Sequence, residues 1–254
     1  MGAKLRQIWG AIREPTLAIL LVVFARTALA DPFYVPSGSM EPTLLIGDEL
    51  LATKYAYGYS RYSLPLGLGN SLGAPAVERL MGKLPERGDI VVFNLPRDPS
   101  ETLVKRVVGL PGDKIQMRAG HLTVNGETLP LQPDGTGEME LEDGRAIAAP
   151  RYIETLPGGK THEIFKLSWA GPLDDTTVYE VPPGHLFMMG DNRDNSLDSR
   201  VREDRGGVGF VPVENLVGRV DRLLGSDDYK AAEAKSIWSW PGTLRLSRFL
   251  ASVG

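Results

Sequence analysis

Apolar positions follow two regimes along this chain. Between Thr16 and Tyr34 they form a nearly continuous run, interrupted by Arg26, bounded by Asp31 and preceded by Lys4, Arg6 and Arg13. As a helix rising about 1.5 Å per residue, the run covers roughly 28 Å of a hydrocarbon core of about 30 Å. It predicts a transmembrane anchor over 16–34 behind a cytoplasmic segment over 1–15, with Arg26 near the far end, where its side chain can snorkel to the interface. The basic flank puts the N-terminus in the cytoplasm and everything after Tyr34 outside. A cleavable signal peptide is the competing reading, because Thr27-Ala28-Leu29-Ala30 ends the run in a small-x-small pattern. A buried core helix is the third, and the charges at Arg13, Glu14 and Arg26 count against it.

Beyond Tyr34 the pattern shortens to strand-length segments. Glu49–Ala56, Asp89–Phe93, Leu103–Val108, Lys114–Met117 and His121–Val124 are mostly rich in Val, Ile and Leu and usually have Gly or Pro close by. Asn125-Gly126, between His121–Val124 and Glu127–Leu131, predicts a two-residue hairpin, since both central positions of a type I′ turn need positive φ. Two stretches break the rhythm. Tyr57–Glu86, with its Gly, Pro and Ser around Leu64–Gly73, reads as a long loop with one helical turn near Val77–Met81. Pro130–Pro183, with Asp134-Gly135, Asp143-Gly144 and Gly158-Gly159, reads as an inserted, loop-rich β subdomain. The tail from Ser236 to Phe249, with Trp238, Trp240, Leu244, Leu246 and Phe249 beside Arg245 and Arg248, suits either a membrane-resting edge or a packed C-terminal element.

Composition changes this picture little, but it removes function classes. The 254 residues are enough for one large or two smaller domains, and 42% hydrophobic with 24% charged is ordinary for a globular chain. A net charge of −4 gives no electrostatic footprint for nucleic acid. The absence of cysteine excludes disulfides, thiol catalysis and thiolate metal sites. The three histidines, His121, His162 and His185, are scattered without ligand spacing or a neighbouring Ser/Asp motif, which argues against metal-dependent or His-dependent hydrolysis.

Three segments carry candidate chemistry. In Val35-Pro36-Ser37-Gly38-Ser39-Met40-Glu41-Pro42, two hydroxyls flank a glycine, so one bend can present a nucleophile while neighbouring N–H groups point at the same space; alone, the same residues also describe a plain turn. In Leu103-Val104-Lys105-Arg106-Val107-Val108, alternation puts Leu103, Lys105 and Val107 on one face, and burial there would lower the lysine pKa from about 10.4 towards the range of a general base. An exposed edge-strand lysine paired with an acid is the alternative. Gly190-Asp191-Asn192-Arg193-Asp194-Asn195-Ser196-Leu197-Asp198-Ser199-Arg200 is dense in side chains that hydrogen-bond backbone. It fails as a calcium loop, because counting from Asp191 or Asp194 puts Ser196 or Ser199 where the turn needs glycine.

In this order the blocks PSGSMEPTLLIGD, RGDIVVF at Arg87–Phe93, VKRVVGLPGD and GDNRDNSLDSR resemble the bacterial type I signal peptidases. The resemblance covers the anchor and most of the chain outside Tyr57–Glu86, Pro130–Pro183 and the C-terminal tail. It implies a mainly β fold: a catalytic core over 35–129 and 184–254 with an inserted β subdomain over 130–183, preceded by one N-terminal transmembrane helix. It also implies a single-pass serine endopeptidase of the cytoplasmic membrane, its catalytic domain on the outer side, which acts on signal peptides of exported preproteins without metal or other cofactor. By motif position it makes Ser39 the nucleophile and Lys105 the general base, with the Ser37 hydroxyl and the Ser39 N–H as oxyanion hole. Ser196 would orient Lys105, and Asp198 with Arg200 would form a supporting ion pair. Pockets for small residues would be walled by Phe33, Val35, Pro36, Met40, Leu44, Leu50, Val92, Leu103 and Val104. Two other readings remain in view: a Ser–Lys autoprotease of the repressor-cleaving type, which would bring a DNA-binding domain rather than a membrane span, and a non-catalytic anchored envelope β domain.

Overall fold

The computed structural model describes residues 2–64, 79–141, 145–228 and 242–253, with the backbone alone for residues 2–11. The chain opens with helix α1 (Gly2–Ala28); the regular structure that follows among the described residues is strands, joined by loops and single 3-10 turns: β1 (Ala30–Tyr34), β2 (Asp48–Thr53), β3 (Ile90–Leu95), β4 (Asp98–Gly109), β5 (Lys114–Arg118), β6 (His121–Val124), β7 (Glu127–Thr128), β8 (Leu131–Glu140), β9 (Ala146–Thr155), β10 (Thr161–Phe165), β11 (Tyr179–Glu180), β12 (His185–Met189), β13 (Val211–Pro212) and β14 (Leu216–Ser226).

A seven-stranded sheet in the order β1-β2-β14-β3-β4-β12-β13 forms the body. Its middle is buried on both faces, which explains why β3 reads as a continuous apolar run rather than an alternating one. Ile90 and Val92 enter one cluster with Val35, Met40, Leu44 and Leu50, while Val91, Phe93 and Leu95 enter another with Tyr57, Val107, Leu186 and Met188. The hairpin expected at Asn125-Gly126 is present, with φ of 52° and 89° and Val124 opposite Glu127.

Four expectations change in detail. The apolar run over 16–34 divides: its helix ends at Ala28 and Ala30–Tyr34 is strand β1, paired antiparallel with β2. Hydropathy sees Asp31 as a membrane boundary, whereas this carboxylate is buried between Arg26 and Lys54, at 2.6 Å from each. Among the described residues no helix is long and apolar enough to cross a membrane. The stretch 130–183 builds a three-stranded sheet, β10-β9-β8, but its last strand β11 pairs with β5 in a second small sheet. Leu156 and Val181 pack with Val108 and Phe187 of the seven-stranded sheet, so this stretch and the body share a core. Of the helical turn expected near Val77–Met81, residues 77 and 78 lie outside the described residues; Leu80 bridges Tyr59 and Met81 has φ 56°, which is not helical. In the tail, Trp238 and Trp240 lie outside the described residues, and Leu246 and Phe249 are exposed.

Candidate active site

Ser39 sits in a single 3-10 turn, Gly38–Met40, at the start of a closed loop that joins β1 to β2. The loop is clamped at its neck by Val35 N–H to Asp48 O (2.9 Å) and Gly47 N–H to Val35 O (3.0 Å). Gly47 has φ +93°, and a Cβ there would fall 1.8 Å from the carbonyl oxygen of Asp227, so only glycine lets the loop close against the neighbouring chain. Met40 and Leu44 sink into the core and leave Ser39 half-buried above them.

Lys105 reaches this turn from β4, where it lies opposite Val91 of β3. Its Nζ is 2.6 Å from Ser39 Oγ and 3.1 Å from Val104 O, and the residue is 3% exposed. Burial lowers its pKa to about 8; Asp198 and Asp191 pull the other way, and Arg200 adds to the lowering. A buried amine touching a serine hydroxyl, and neutral in part near pH 7, can accept that hydroxyl's proton.

The loop from Gly190 to Arg200 packs behind the pair. Asn192 holds the serine turn twice, its Nδ2 donating to Gly38 O (3.0 Å) and its N–H to Ser39 O (3.2 Å). Gly190 is forced by proximity: a Cβ there would lie 2.2 Å from Ser196 Oγ and 2.4 Å from Ser39 O. Arg200 grips Asp198 through two bonds of 2.8 Å, and Asp198 accepts the Gly190 N–H at 3.0 Å. Burial alone would raise the Asp198 pKa, but Arg200 and these donors hold it below the ordinary carboxylate value. Two further buried bidentate pairs complete the support, Arg106 with Asp191 and Arg193 with Glu154 of β9. His162 lies within 4 Å of both carboxylates, and burial pushes its pKa down to about 4.

A cavity of about 580 Å³ opens over the serine, lined by Pro36 to Ser39, Leu95, Leu103, Lys105, Glu140, Leu141 and Ser196, among others. Of the nine residues expected to wall substrate pockets, Pro36 and Leu103 line it. Val35, Met40, Leu44, Leu50 and Val92 are closed core, with Phe33 and Val104 packed half-buried against them: strand alternation turns Phe33, Leu50, Val92 and Val104 to the inner face of the sheet, and Val35, Met40 and Leu44 of the β1–β2 connection pack in with them. Ser37 is exposed on the cavity wall, and its side chain makes no capping bond to the turn that it precedes. Ser196 also lines the cavity, but its buried Oγ has no hydrogen-bond partner, and Lys105 Nζ bonds to Ser39 and Val104 instead. The expected orienting bond from Ser196 to Lys105 is therefore not formed here. Asn192, Gly190 and Glu154 take positions that the sequence pattern did not single out; the density of Asp and Asn around them signalled an organised loop, but not its target.

A family model for signal peptidase, peptidase S26, matches residues 8–224. The chain belongs to this family. It is 38% identical over 226 residues to a signal peptidase I of Rickettsia massiliae, covering 84% of this chain and 77% of that one. Signal peptidase I of Rickettsia typhi is 40% identical over 216 residues (80% and 75% covered), and that of Rickettsia prowazekii 41% over 207 residues (79% and 74%). A solved signal peptidase I from Enterococcus faecalis aligns with 54% of this chain and 97% of its own, at 25% identity and a TM-score of 0.31.

Proposed function

We propose that this S26-family chain is a signal peptidase: a serine endopeptidase that removes signal peptides from exported preproteins at the outer face of the cytoplasmic membrane. The observation that carries the reading is the 2.6 Å contact between the buried Lys105 amine and Ser39 Oγ at the floor of an open cavity. The neutral amine takes the hydroxyl proton as Oγ attacks the scissile carbonyl carbon. The resulting ammonium protonates the departing amine, and Lys105 then activates the water that hydrolyses the acyl-enzyme. The Ser39 N–H and the Ser37 hydroxyl receive the oxyanion; that the Ser37 side chain lies on the cavity wall without capping its own turn supports this role. Asp198 with Arg200 holds the rear loop rather than entering the chemistry, and Ser196, which lines the same cavity, keeps its expected part of orienting Lys105 in this reading.

The helix α1 serves as the membrane anchor in this reading, its consecutive exposed side chains Ile19 to Phe24 turned to lipid and its basic N-terminal flank in the cytoplasm. Residues 35–129 and 184–254 form the catalytic core, and 130–183 an insert that supplies one cavity wall. Family membership favours neither a repressor-type autoprotease nor a non-catalytic envelope domain. The test is cleavage of a peptide with Ala at the first and third positions before the cut. Wild type should cut it after the first-position Ala and folded Ser39→Ala should not; cleavage by folded Ser39→Ala overturns the assignment.

A further inference from the structure

We propose that Glu41 is a positioning residue for this reaction, a strut that ties the nucleophile turn to the strand of the insert that walls the cavity; the proposal rests on the Ser39–Lys105 reading above. Glu41 follows Ser39 by two positions and is 3% exposed. Its carboxylate lies against the nucleophile turn, where a Cβ added to Gly38 would meet Glu41 Cδ and Oε2 at 3.0 Å. The same Oε2 accepts the backbone N–H of Glu140 at 3.0 Å, across 99 residues of sequence.

The topology explains why that N–H needs an outside acceptor. β8 is an edge strand of the sheet β10-β9-β8, so an N–H on its outer side has no ladder partner. The bond is half-buried, so leaving this donor unpaired carries a cost, and a carboxylate is the strongest acceptor a side chain can offer it. Glu140 and the next residue, Leu141, line the cavity together with Ser37, Ser39 and Lys105. Leu141 in turn packs on the small core of Met139, Ala149 and Phe165, so this wall is anchored in the insert. Through Glu41, wall and nucleophile are held as one body. Without it, the turn can shift against Lys105 while the amine stays in its strand. Displacements of about 1 Å cost on the order of 100-fold in rate when they misalign reacting groups.

The experiment measures kcat, KM and the pH profile for the Ala-x-Ala peptide in wild type, Glu41→Gln, Glu41→Ala, Glu140→Pro and the Glu41→Ala/Glu140→Pro double variant, with thermal unfolding as the folding control. Glu41→Ala should lower kcat by about 10- to 100-fold with KM within about threefold of wild type. The pH midpoint should not move, because Lys105 keeps its burial. Glu41→Gln retains an oxygen acceptor for the Glu140 N–H and should restore kcat to within about threefold. Glu140→Pro removes the donor at an edge-strand position that tolerates proline, and should reproduce the kcat loss. The double variant should be no worse than either single one, since both remove the same bond. Wild-type kcat in folded Glu41→Ala, equal losses in Glu41→Gln and Glu41→Ala, or losses that multiply in the double variant overturn the strut. If Glu41→Ala does not fold, Glu140→Pro decides: a full kcat there overturns the proposal. A wild-type protein that cleaves no such peptide overturns the proposed function and the strut with it, whereas cleavage by wild type and folded Glu41→Ala at equal kcat overturns the strut alone.

Discussion

Lys105 carries two opposing consequences of one placement. Burial that lowers its pKa to about 8 makes it a usable base, and it also makes the charged form expensive in the folded state. Below pH 8 both the folded and the unfolded chain hold the proton, and the folded chain bears the cost of burying it. Between pH 8 and about 10.5 the folded amine is already neutral while the unfolded one is still charged, so stability rises with pH across that window. Lys105→Met keeps the apolar stem and removes the charge. It should abolish cleavage yet raise stability at pH 7 by about 1–2 kcal/mol, part of the gain being offset by the bond lost at Val104 O. Thermal unfolding decides this, and a Met variant less stable than wild type at pH 7 counts against a destabilising lysine. Lys105→Arg should be inactive, since guanidinium stays protonated. In wild type, kcat/KM should climb through a midpoint near 8 as pH rises. A flat profile from acid to alkaline pH, or full activity in folded Lys105→Arg, rules the base assignment out.

Among the elements, the Gly190–Arg200 loop is fastened from three directions: to the serine turn by Asn192, to β4 by the Asp191–Arg106 pair and to β9 by the Arg193–Glu154 pair. Removing one partner of such a buried pair strands the other charge, at a cost of about 3–5 kcal/mol. Glu154→Ala should therefore lower the unfolding free energy by that order in a denaturant titration, and a change under about 1 kcal/mol would show the pair to be dispensable. Asn192→Ala keeps the backbone bond to Ser39 O but frees the Gly38 carbonyl, and should cost less stability yet lower kcat about tenfold; an unchanged kcat refutes the side chain's hold on the turn. The strands that feed the site were legible in the sequence because β3 and the end of β4 are buried apolar runs, and β6 ends in an Asn-Gly turn of fixed geometry. β8 was not, since its Leu131–Glu140 contains Pro133, Gly135 and Gly137 and shifts register between Pro133 and Thr136. The Ser39 and Lys105 segments could be proposed from local chemistry and block order. Asn192 could not be aimed at Gly38 O across 154 residues, because no local periodicity encodes that contact.

At the scale of the whole molecule, the hydropathy run and the sheet compete for the same residues. Asp31, Lys54 and the β1–β2 pairing draw Ala30–Tyr34 into the body, which leaves Ala28 as the last helical residue and places the serine turn only a short strand beyond it. As the proposed anchor, α1 would run almost directly into the edge strand β1 and so would fix the height of Ser39 above the bilayer, which an anchor ending at Tyr34 would not. The exposed run from Leu17 to Phe24 has no protein partner that would cover its apolar side chains among the described residues, and its basic flank suits the cytoplasmic headgroups. The full chain should sediment with membranes and require detergent for release. A variant that lacks residues 2–25 but keeps Arg26, Asp31 and Lys54 should be released into the soluble fraction, retain its thermal stability and still cut a free Ala-x-Ala peptide. Recovery of the full chain in the soluble fraction would sink the anchor. Loss of peptide cleavage in the folded truncated form would show instead that the helix takes part in the site and not only in its placement.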